Sequence, residues 1–428
     1  MKNRFLHSAY QIYKPIRKFL DDIPILGPLL VEFTRLIKDL VLSIYVFLSR
    51  YEWFIARPLQ SGVLQSTVYL SPDDIVYKSN RPFYASSKLN QVESGSWDKF
   101  PERFKDDEWI SGVKQIIKFG VGFEQSEFYQ SVLLKIDSGE EICNCNNHQQ
   151  WMNLSNQVLK LSGLIQSQQE IDWMQMSGLD GGLVIDIARD GSLLFVSGRL
   201  TFVIAKVLNV EIVPAKVRTR HSRWLKLRRR YEFLVTGTAS RAYQPTMHPD
   251  LTYIPAQQNC VERLRLIKEN LTHENGSLLE LGANIGYFSL NFEKAGFDCT
   301  AVENSPIFLF CLLTQKQALH KDISIISKSF LKSDEIFNHR YDVVLALNLF
   351  HHFLRRKQDF EKLEFFLERL NCSELYFEPH VYEDPQLKHA YINMHEDEFV
   401  EFVRSKTRLS RSELIGRASD KRPLYKLY

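Results

Sequence analysis

The sequence has few cysteines and no long hydrophobic run, and each shortage excludes a class of protein. Six cysteines are scattered over 428 residues, too few for a disulfide framework, so we expect a reducing, cytoplasmic compartment. The apolar runs 23–31 and 40–49 are each far shorter than the ~20 residues that span a bilayer. No small-residue cleavage site follows them, so we expect no secretory signal.

A strong excess of one charge is also missing. The chain has 54 Lys and Arg against 51 Asp and Glu, a net charge of +3, so its overall electrostatics do not indicate a nucleic-acid-binding protein. Cys143-x-Cys145-x-x-His148 supplies only three metal ligands at irregular spacing, so we expect no metal. With 44% hydrophobic and 25% charged residues, the chain is long enough for two or three globular domains.

A strand–turn–helix pattern is present at residues 277–292. Ser277–Leu281 is an apolar run of buried-strand length, the segment 282–286 (the glycine loop) has a glycine at each end, and Phe288, Leu290 and Phe292 indicate a helix. Backbone N–H groups at the start of such a helix can bind a ligand that glycines allow to approach closely.

The spacing of this loop resembles motif I of the class I S-adenosylmethionine-dependent methyltransferases. Glu280 precedes Gly282-x-Asn284-x-Gly286, with Asn284 in place of the commoner glycine, and Glu303 ends the next strand-like run. A NAD site would require G-x-G-x-x-G. The alternative is a purely structural turn in another α/β domain.

The resemblance implies S-adenosyl-L-methionine as the cofactor and a role for each matching residue. The glycine loop would lie under the methionine part of the cofactor, with Glu280 below the loop, and Glu303 would hold the ribose hydroxyls. Ser329 stands where many relatives have an acid that meets the adenine, and Asn348, after the fourth strand, would face the cofactor side.

Transfer of a methyl group to a hydroxyl also requires a group that removes the proton, a task for which imidazole is suited. His351, His352, Glu378 and His380 follow two predicted strands and are the candidates. Enzymes that methylate base amines usually carry (D/N/S)-P-P-(Y/F/W) after the fourth strand, whereas this chain has Asn-Leu-Phe-His at 348–351. We therefore expect O- or N-methylation of a small-molecule, glycan or lipid-linked acceptor.

The elements predicted for residues 251–428 alternate between strand and helix, which favours a parallel sheet. The resemblance implies a Rossmann-like, seven-stranded α/β sheet whose last strand is antiparallel. The predicted strands are 277–281, 299–303, 323–326, 341–348 and 374–378, the helices are 261–271, 308–319 and 397–404, and the closing hairpin joins 412–417 to 423–428.

An earlier segment resembles the nucleotide-handling core of ParB/sulfiredoxin-like domains, which implies an α+β domain with a helical insert at 61–235. The similarity consists of two strands around an Asp-Gly turn, a helix that begins at Gly198-Arg199, and a strand with Val213-Pro-Ala-Lys-Val217. Of the basic residues that follow the glycine in that family, this chain retains Arg199. The predicted elements are strands 184–188, 193–196 and 210–218, and the helix 199–208.

The segment 218–231, which we call the basic segment, holds seven Lys and Arg residues together with Trp224 and Tyr231. It could bind nucleic acid, contact anionic lipid, or form a solvated helix, and we favour the solvated helix. The turn-rich residues 236–250 are predicted to be a linker.

Residues 1–60 form the predicted N-terminal segment, which is helical and amphipathic. A helix over 29–54 would place polar residues on one narrow stripe and apolar residues on the remainder, so it would lie on a membrane surface or pack against the protein's own domains. The polar residues are Glu32, Arg35, Asp39, Ser43 and Arg50.

We therefore expect an S-adenosylmethionine-dependent methyltransferase with an accessory domain. The alternative is a nucleotide- or nucleic-acid-binding regulatory protein on a degenerate methyltransferase scaffold.

Overall fold

The computed structural model describes residues 27–51, 64–81, 88–104, 107–167, 182–237, 240–257, 260–384, 387–418 and 422–428. These residues form a mixed α/β structure with two seven-stranded sheets, which confirms the predicted class. The first 26 residues of the N-terminal segment, and the side chains of Glu32 and Arg35, lie outside the described part.

The first sheet is built from residues before 222. Its strands run in the order β1-β7-β5-β6-β2-β4, and β3 pairs in parallel with the end of β7. The strands are β1 (Thr67–Leu70), β2 (Ile75–Lys78), β3 (Gln91–Glu93), β4 (Glu102–Arg103), β5 (Val184–Ile187), β6 (Leu193–Ser197) and β7 (Val213–His221). The helices of this half are α1 (Gly27–Leu48), α2 (Asp107–Phe119), α3 (Glu127–Asp137), α4 (His148–Ser167), α5 (Arg199–Val207) and α6 (Ser222–Thr236).

The second sheet has the order β10-β9-β8-β11-β12-β14-β13. The first five strands in this order are parallel, and β14 runs antiparallel between β12 and β13. The strands are β8 (Gly276–Leu281), β9 (Phe297–Val302), β10 (Ile323–Ile326), β11 (Tyr341–Ala346), β12 (Cys372–Phe377), β13 (Ser412–Arg417) and β14 (Pro423–Leu427). The helices are α7 (Cys260–Glu269), α8 (Tyr287–Lys294), α9 (Pro306–Ala318), α10 (Lys357–Arg369) and α11 (Glu396–Lys406).

The second sheet is buried on both faces. Alternate residues of β11 belong to different apolar clusters: Val343 and Leu345 to one, Val344 and Ala346 to the other. Successive side chains of a strand point to opposite faces, so a strand buried on both sides is an almost continuous apolar run. This explains why the positions of the inner strands could be predicted from the sequence.

The favoured interpretation of the basic segment as a solvated helix is wrong for most of its cations. Its first four residues complete β7, where Arg218 is buried in an ion pair with Asp186. Arg220 and Arg228 are also fully buried. Only Arg223, Lys226 and Arg229 are exposed among its seven cations. The internal acids that pair with these arginines lie far away in sequence, so the segment alone gave no sign of them.

One of these acids is Asp250, in a 3₁₀ turn at Pro249–Leu251. Its carboxylate accepts hydrogen bonds from Arg220 at 2.8 Å and from the Trp224 indole at 2.8 Å, and its backbone carbonyl accepts one from Arg228 at 3.0 Å. Burial acts to raise the pKa of Asp250, but Arg220 and Arg228 hold it below its usual value.

The segment 240–257 joins the two halves of the molecule. On the side of the first sheet, buried His248 contacts the Gly191 carbonyl at 2.8 Å. On the other side, the Gln315 side chain of α9 accepts the backbone N–H of Met247 at 2.6 Å. The predicted linker, residues 236–250, therefore contacts both halves of the molecule through Met247 and His248.

Helix α1 packs against α6 and α9. The Tyr45 ring lies 5.2 Å from the ring of Phe233, and Arg230 donates hydrogen bonds to the Ser49 hydroxyl at 2.8 Å and to the Val46 carbonyl at 2.7 Å. These contacts agree with the predicted alternative in which the helix packs against the protein's own domains. None of the described helices is long and apolar enough to cross a membrane.

Replacement of the Asp250 carboxylate should destabilise the protein strongly. Asp250→Asn keeps the size of the side chain but removes the anion with which the buried Arg220 guanidinium pairs, so we expect a loss of about 3–5 kcal/mol in the free energy of unfolding. Urea denaturation measures it, with Glu401→Gln, an exposed partner of Arg404, as the control that should show no comparable loss. A small loss of unfolding free energy in Asp250→Asn would contradict the role of Asp250 as the partner of buried arginine.

Candidate functional site

The glycine loop connects β8 to α8 at the carboxyl edge of the parallel strands, where open α/β sheets bind ligands. Gly282, Asn284 and Gly286 all have left-handed backbone conformations, with φ of 71°, 55° and 86°. The N–H groups of Gly282 and Ala283 both donate to the Val302 carbonyl at 2.9 Å. The loop is therefore bent back onto the end of β9.

Two of the predicted loop residues are also required by packing. A Cβ on Gly286 would lie 2.2 Å from Cδ1 of Leu312 in α9, which is closer than atoms can approach. A Cβ on Gly282 would lie 3.0 Å from Cδ1 of Leu349, whose side chain covers this end of the loop. The glycines thus let α9 and the segment after β11 pack directly on the loop.

Glu280 lies below the loop, where the resemblance placed it, and is buried. Its carboxylate accepts the Ser289 backbone N–H at 2.9 Å and the hydroxyl of the same residue. These bonds attach the first turn of α8 to the end of β8. Burial raises the pKa of Glu280 to about 7, against the lowering effect of the Ser289 bonds.

Glu303 follows β9 directly and points into the glycine loop. One carboxylate oxygen accepts the backbone N–H of Asn284 at 2.8 Å, and the other accepts that of Ser305 at 2.7 Å. The residue is buried, and burial raises its pKa. The Asn304 backbone N–H is a third donor to this carboxylate, which keeps acceptor capacity for a further hydroxyl group.

The Asn284 side chain adds an unsatisfied acceptor beside this carboxylate. Its Oδ1 atom is buried and has no hydrogen-bond partner within the described part of the chain. Buried polar atoms without a partner are rare in proteins, and one at a loop of this kind needs an explanation. The pair formed by Asn284 and Glu303 fits a ligand that carries hydroxyl and amine donors.

Residues of the segment 240–257 also cover the loop, and the sequence did not indicate them. The Gln244 side chain accepts the backbone N–H of Tyr287 at 3.3 Å, at the start of α8. The Tyr243 hydroxyl accepts a hydrogen bond from Asn348, whose Oδ1 in turn accepts one from Arg422. Asn348 is thus held at the predicted edge of the sheet, in a left-handed conformation with φ of 54°.

Three histidines gather behind Asn348. The His351 ring lies 4.1 Å from that of His352 and 5.9 Å from that of His380. His351 and His380 are buried, whereas His352 is exposed. The structure therefore brings together three of the four residues predicted as candidate bases.

His351 and His380 each keep one ring nitrogen without a partner. Nδ1 of both rings makes no hydrogen bond to any described residue, while Nε2 of His380 lies 2.8 Å from the Asn393 amide oxygen. Burial lowers the pKa of His351 far below its usual value, and His352 and His380 lower it further. Its imidazole is therefore neutral at physiological pH with a free Nδ1 lone pair, although the burial that lowers its pKa also makes the ring a weaker base than a free imidazole.

The remaining predicted residues are placed differently. Glu378 is buried in an ion pair with Arg263 at 2.7 Å, so its carboxylate is bound to a cation. Ser329 is half-buried and precedes a 3₁₀ turn at 330–332, without a capping hydrogen bond from its side chain.

In the other half of the protein, Arg199 begins α5, and its guanidinium lies 5.4 Å from the centroids of the Phe104 and Trp109 rings. A surface cavity beside it is lined by Lys78, Glu102 and Arg103 as well. This is the residue that the ParB-like resemblance singled out, and its interactions here are with aromatic rings of its own half.

No known protein family matches the sequence, and no curated protein matches it. Solved structures with similarity to this chain include the bifunctional kinase-methyltransferase WbdD, at 20% identity and a TM-score of 0.38, over 46% of this chain and 45% of that one. The N-methyltransferase NodS from Bradyrhizobium japonicum WM9 matches at 15% identity and a TM-score of 0.31, over 40% and 96%.

Magnesium protoporphyrin IX methyltransferase (ChlM) from Synechocystis PCC 6803, whose structure has bound SAM, matches at 12% identity and a TM-score of 0.29, over 39% of this chain and 76% of that one. The matched region spans less than half the length of the WbdD structures. Likenesses at these identities and TM-scores do not establish a shared family or activity.

The raised pKa of Glu280 makes the stability of the fold depend on pH. Because the folded pKa lies above the unfolded one, the contribution of Glu280 to stability is greatest below about pH 4.3 and is lost as the pH rises through about 7, by on the order of 3 kcal/mol. Glu280→Gln should remove this fall while it keeps the bonds to Ser289.

Urea unfolding of both forms across this pH range measures the effect, with the exposed Glu413→Gln as the control that should follow the wild type. Parallel pH profiles of the wild type and Glu280→Gln would be inconsistent with a buried, ionisable carboxyl at this position.

Proposed function

We propose that this protein is an S-adenosyl-L-methionine-dependent methyltransferase. The observation that carries the proposal is the Glu303 carboxylate at the end of β9, which is hydrogen-bonded to a glycine loop that also holds the unpartnered Asn284 side-chain oxygen. The strand order, with β14 antiparallel between β12 and β13, supports it, because the resemblance in the sequence implies such a sheet.

The cofactor would be held by residues on two adjacent strand ends. Glu303 would accept the two ribose hydroxyls, and the loop with Asn284 would accept donors of the amino-acid part. Ser329 would lie toward the adenine. When bound, S-adenosylmethionine supplies a methyl group on a sulfonium sulfur, which is activated for displacement.

The residues of this chain would then orient the acceptor and remove its proton. Asn348, fixed between Tyr243 and Arg422, stands at the end of β11, and neutral His351 lies three residues further along the chain. We assign His351 as the base, through its unpartnered Nδ1, with His380 as its neighbour. The buried setting excludes water from the reaction.

The acceptor that we propose is a small molecule, a glycan or a lipid-linked compound. The segment after β11 lacks the residues with which base-amine methyltransferases hold a nucleobase. The alternative of a nucleotide- or nucleic-acid-binding regulator rested on the basic segment and on the helix that begins at Gly198-Arg199. Arginines 218, 220, 228 and 230 of the basic segment are hydrogen-bonded within the protein, and the Arg199 guanidinium lies against two aromatic rings. We therefore propose no second function.

Titration of S-adenosylmethionine into the full chain tests the cofactor assignment. Saturating ligand should stabilise the wild type, by about 2.7 kcal/mol at a hundredfold excess over Kd, and raise its melting temperature. Glu303→Gln should weaken binding at least about tenfold, because an amide cannot accept both hydroxyls as a carboxylate does.

The control for this titration is Glu361→Gln on exposed α10, which should bind like the wild type. If CTP or DNA stabilises the chain and S-adenosylmethionine does not, the proposal is wrong and the regulatory alternative is correct.

The role of His351 can be tested with isotopically labelled methyl donor and a cell extract as the source of acceptors. His351→Asn should reduce the labelled product roughly 100-fold or more, since it removes the base, while calorimetry shows unchanged affinity for S-adenosylmethionine. The exposed neighbour provides the control, so His352→Asn should retain most of the activity. Equal losses in the two variants would refute the assignment.

A further inference from the structure

Helix α1 carries an apolar stripe that the fold does not cover. Leu36 and Leu40 are 66% and 60% exposed, and Ile44, Phe47 and Tyr51 are each exposed by more than 44%. At 100° per residue Leu36, Leu40, Ile44 and Phe47 fall within about 80° of one another around the helix, so they form one face. The Tyr51 ring, just past the end of the helix, lies 6.1 Å from the Phe47 ring. We call these five residues the α1 stripe.

The other described faces of the helix contact the protein or carry polar residues. Tyr45, Val46 and Ser49 lie against the protein, as described above, and form the side opposite to the stripe. Asp39, Ser43 and Arg50 are exposed along one border between the two sides. The helix is thus anchored to the body of the protein by one face and presents a second apolar face outward.

The positive charge of the chain is concentrated in the N-terminal segment of the sequence. Residues 1–60 contain nine Lys and Arg against five Asp and Glu, a net charge of +4, whereas the whole chain has a net charge of +3. The Arg50 guanidinium lies 5.1 Å from the centroid of the Phe47 ring on the stripe itself. A cationic segment next to an apolar face is complementary to a surface that is both anionic and apolar beneath its charges.

We propose that the α1 stripe inserts into the surface of an anionic lipid membrane. Leucine and isoleucine side chains gain free energy when they leave water for the acyl boundary, and Phe and Tyr are favoured at the level of the head groups. Lysine and arginine side chains near the helix then contact the anionic phosphates. A second copy of the chain fits less well, because two segments of the same positive charge would repel each other.

The orientation that follows brings the candidate site close to the lipid. Helix α1 packs on α9, and α9 begins three residues after Glu303 and carries Leu312 against the glycine loop. The membrane contact is independent of the proposed activity, since it uses none of the residues assigned to the cofactor or to proton removal.

Flotation of the full chain with vesicles tests the proposal. We expect the wild type to float with vesicles of phosphatidylcholine and phosphatidylglycerol, and less with phosphatidylcholine alone. High salt should weaken the binding, since it screens the charges. The triple variant Leu36→Gln, Leu40→Gln, Ile44→Gln should lose at least about tenfold in partitioning, because it removes most of the buried apolar area.

The control replaces three other apolar residues that are each more than 60% exposed: Leu134→Gln, Val121→Gln and Val261→Gln. This control should float like the wild type. Absence of the wild type from the anionic vesicles, or equal flotation of the α1 variant, would overturn the proposal. The proposal would also be overturned if light scattering showed that the wild type is a dimer that does not bind vesicles, and that the α1 variant is a monomer.

Discussion

The hydrogen bond between the Glu303 carboxylate and the backbone of Asn284 fixes the geometry of the candidate site. It joins the end of β9 to a loop with three left-handed residues, and the Glu280 bonds to Ser289 attach the other end of that loop to α8. The hydrogen bonds of these two buried carboxylates thus stabilise the left-handed loop backbone, a conformation that costs free energy on its own. A fixed, bent backbone with acceptors on one side is suited to a ligand that must be held in one orientation.

The two sheets depend on each other through the segment between them. Asp250 neutralises arginines of β7 and α6, while Gln315 of α9 binds the backbone next to His248 and donates to the Ile285 carbonyl of the glycine loop. The first half of the protein is therefore connected to the glycine loop through hydrogen bonds. In the proposed enzyme, the first half of the protein would therefore support the segment 240–257, which covers the site.

Strands of the second sheet could be predicted closely from sequence because residues such as Val343 and Leu345 form apolar runs between turn residues. Helix α10 was not predicted, although Phe360, Leu363 and Leu367 have helical spacing. The contacts of Tyr243, Gln244 and Arg422 could not be foreseen, since each joins residues more than forty positions apart. Long-range ion pairs likewise explain why several arginines of the basic segment are buried, although its composition predicted exposure to solvent.

Native mass spectrometry of the freshly purified chain tests the central claim most directly, because it identifies whatever is bound at Glu303 and the glycine loop. Our account predicts an adduct with the mass of S-adenosylmethionine or S-adenosylhomocysteine, which disappears on denaturation and after replacement of Glu303. An unliganded chain even after incubation with excess S-adenosylmethionine, or an adduct with the mass of a nucleoside triphosphate, would contradict it.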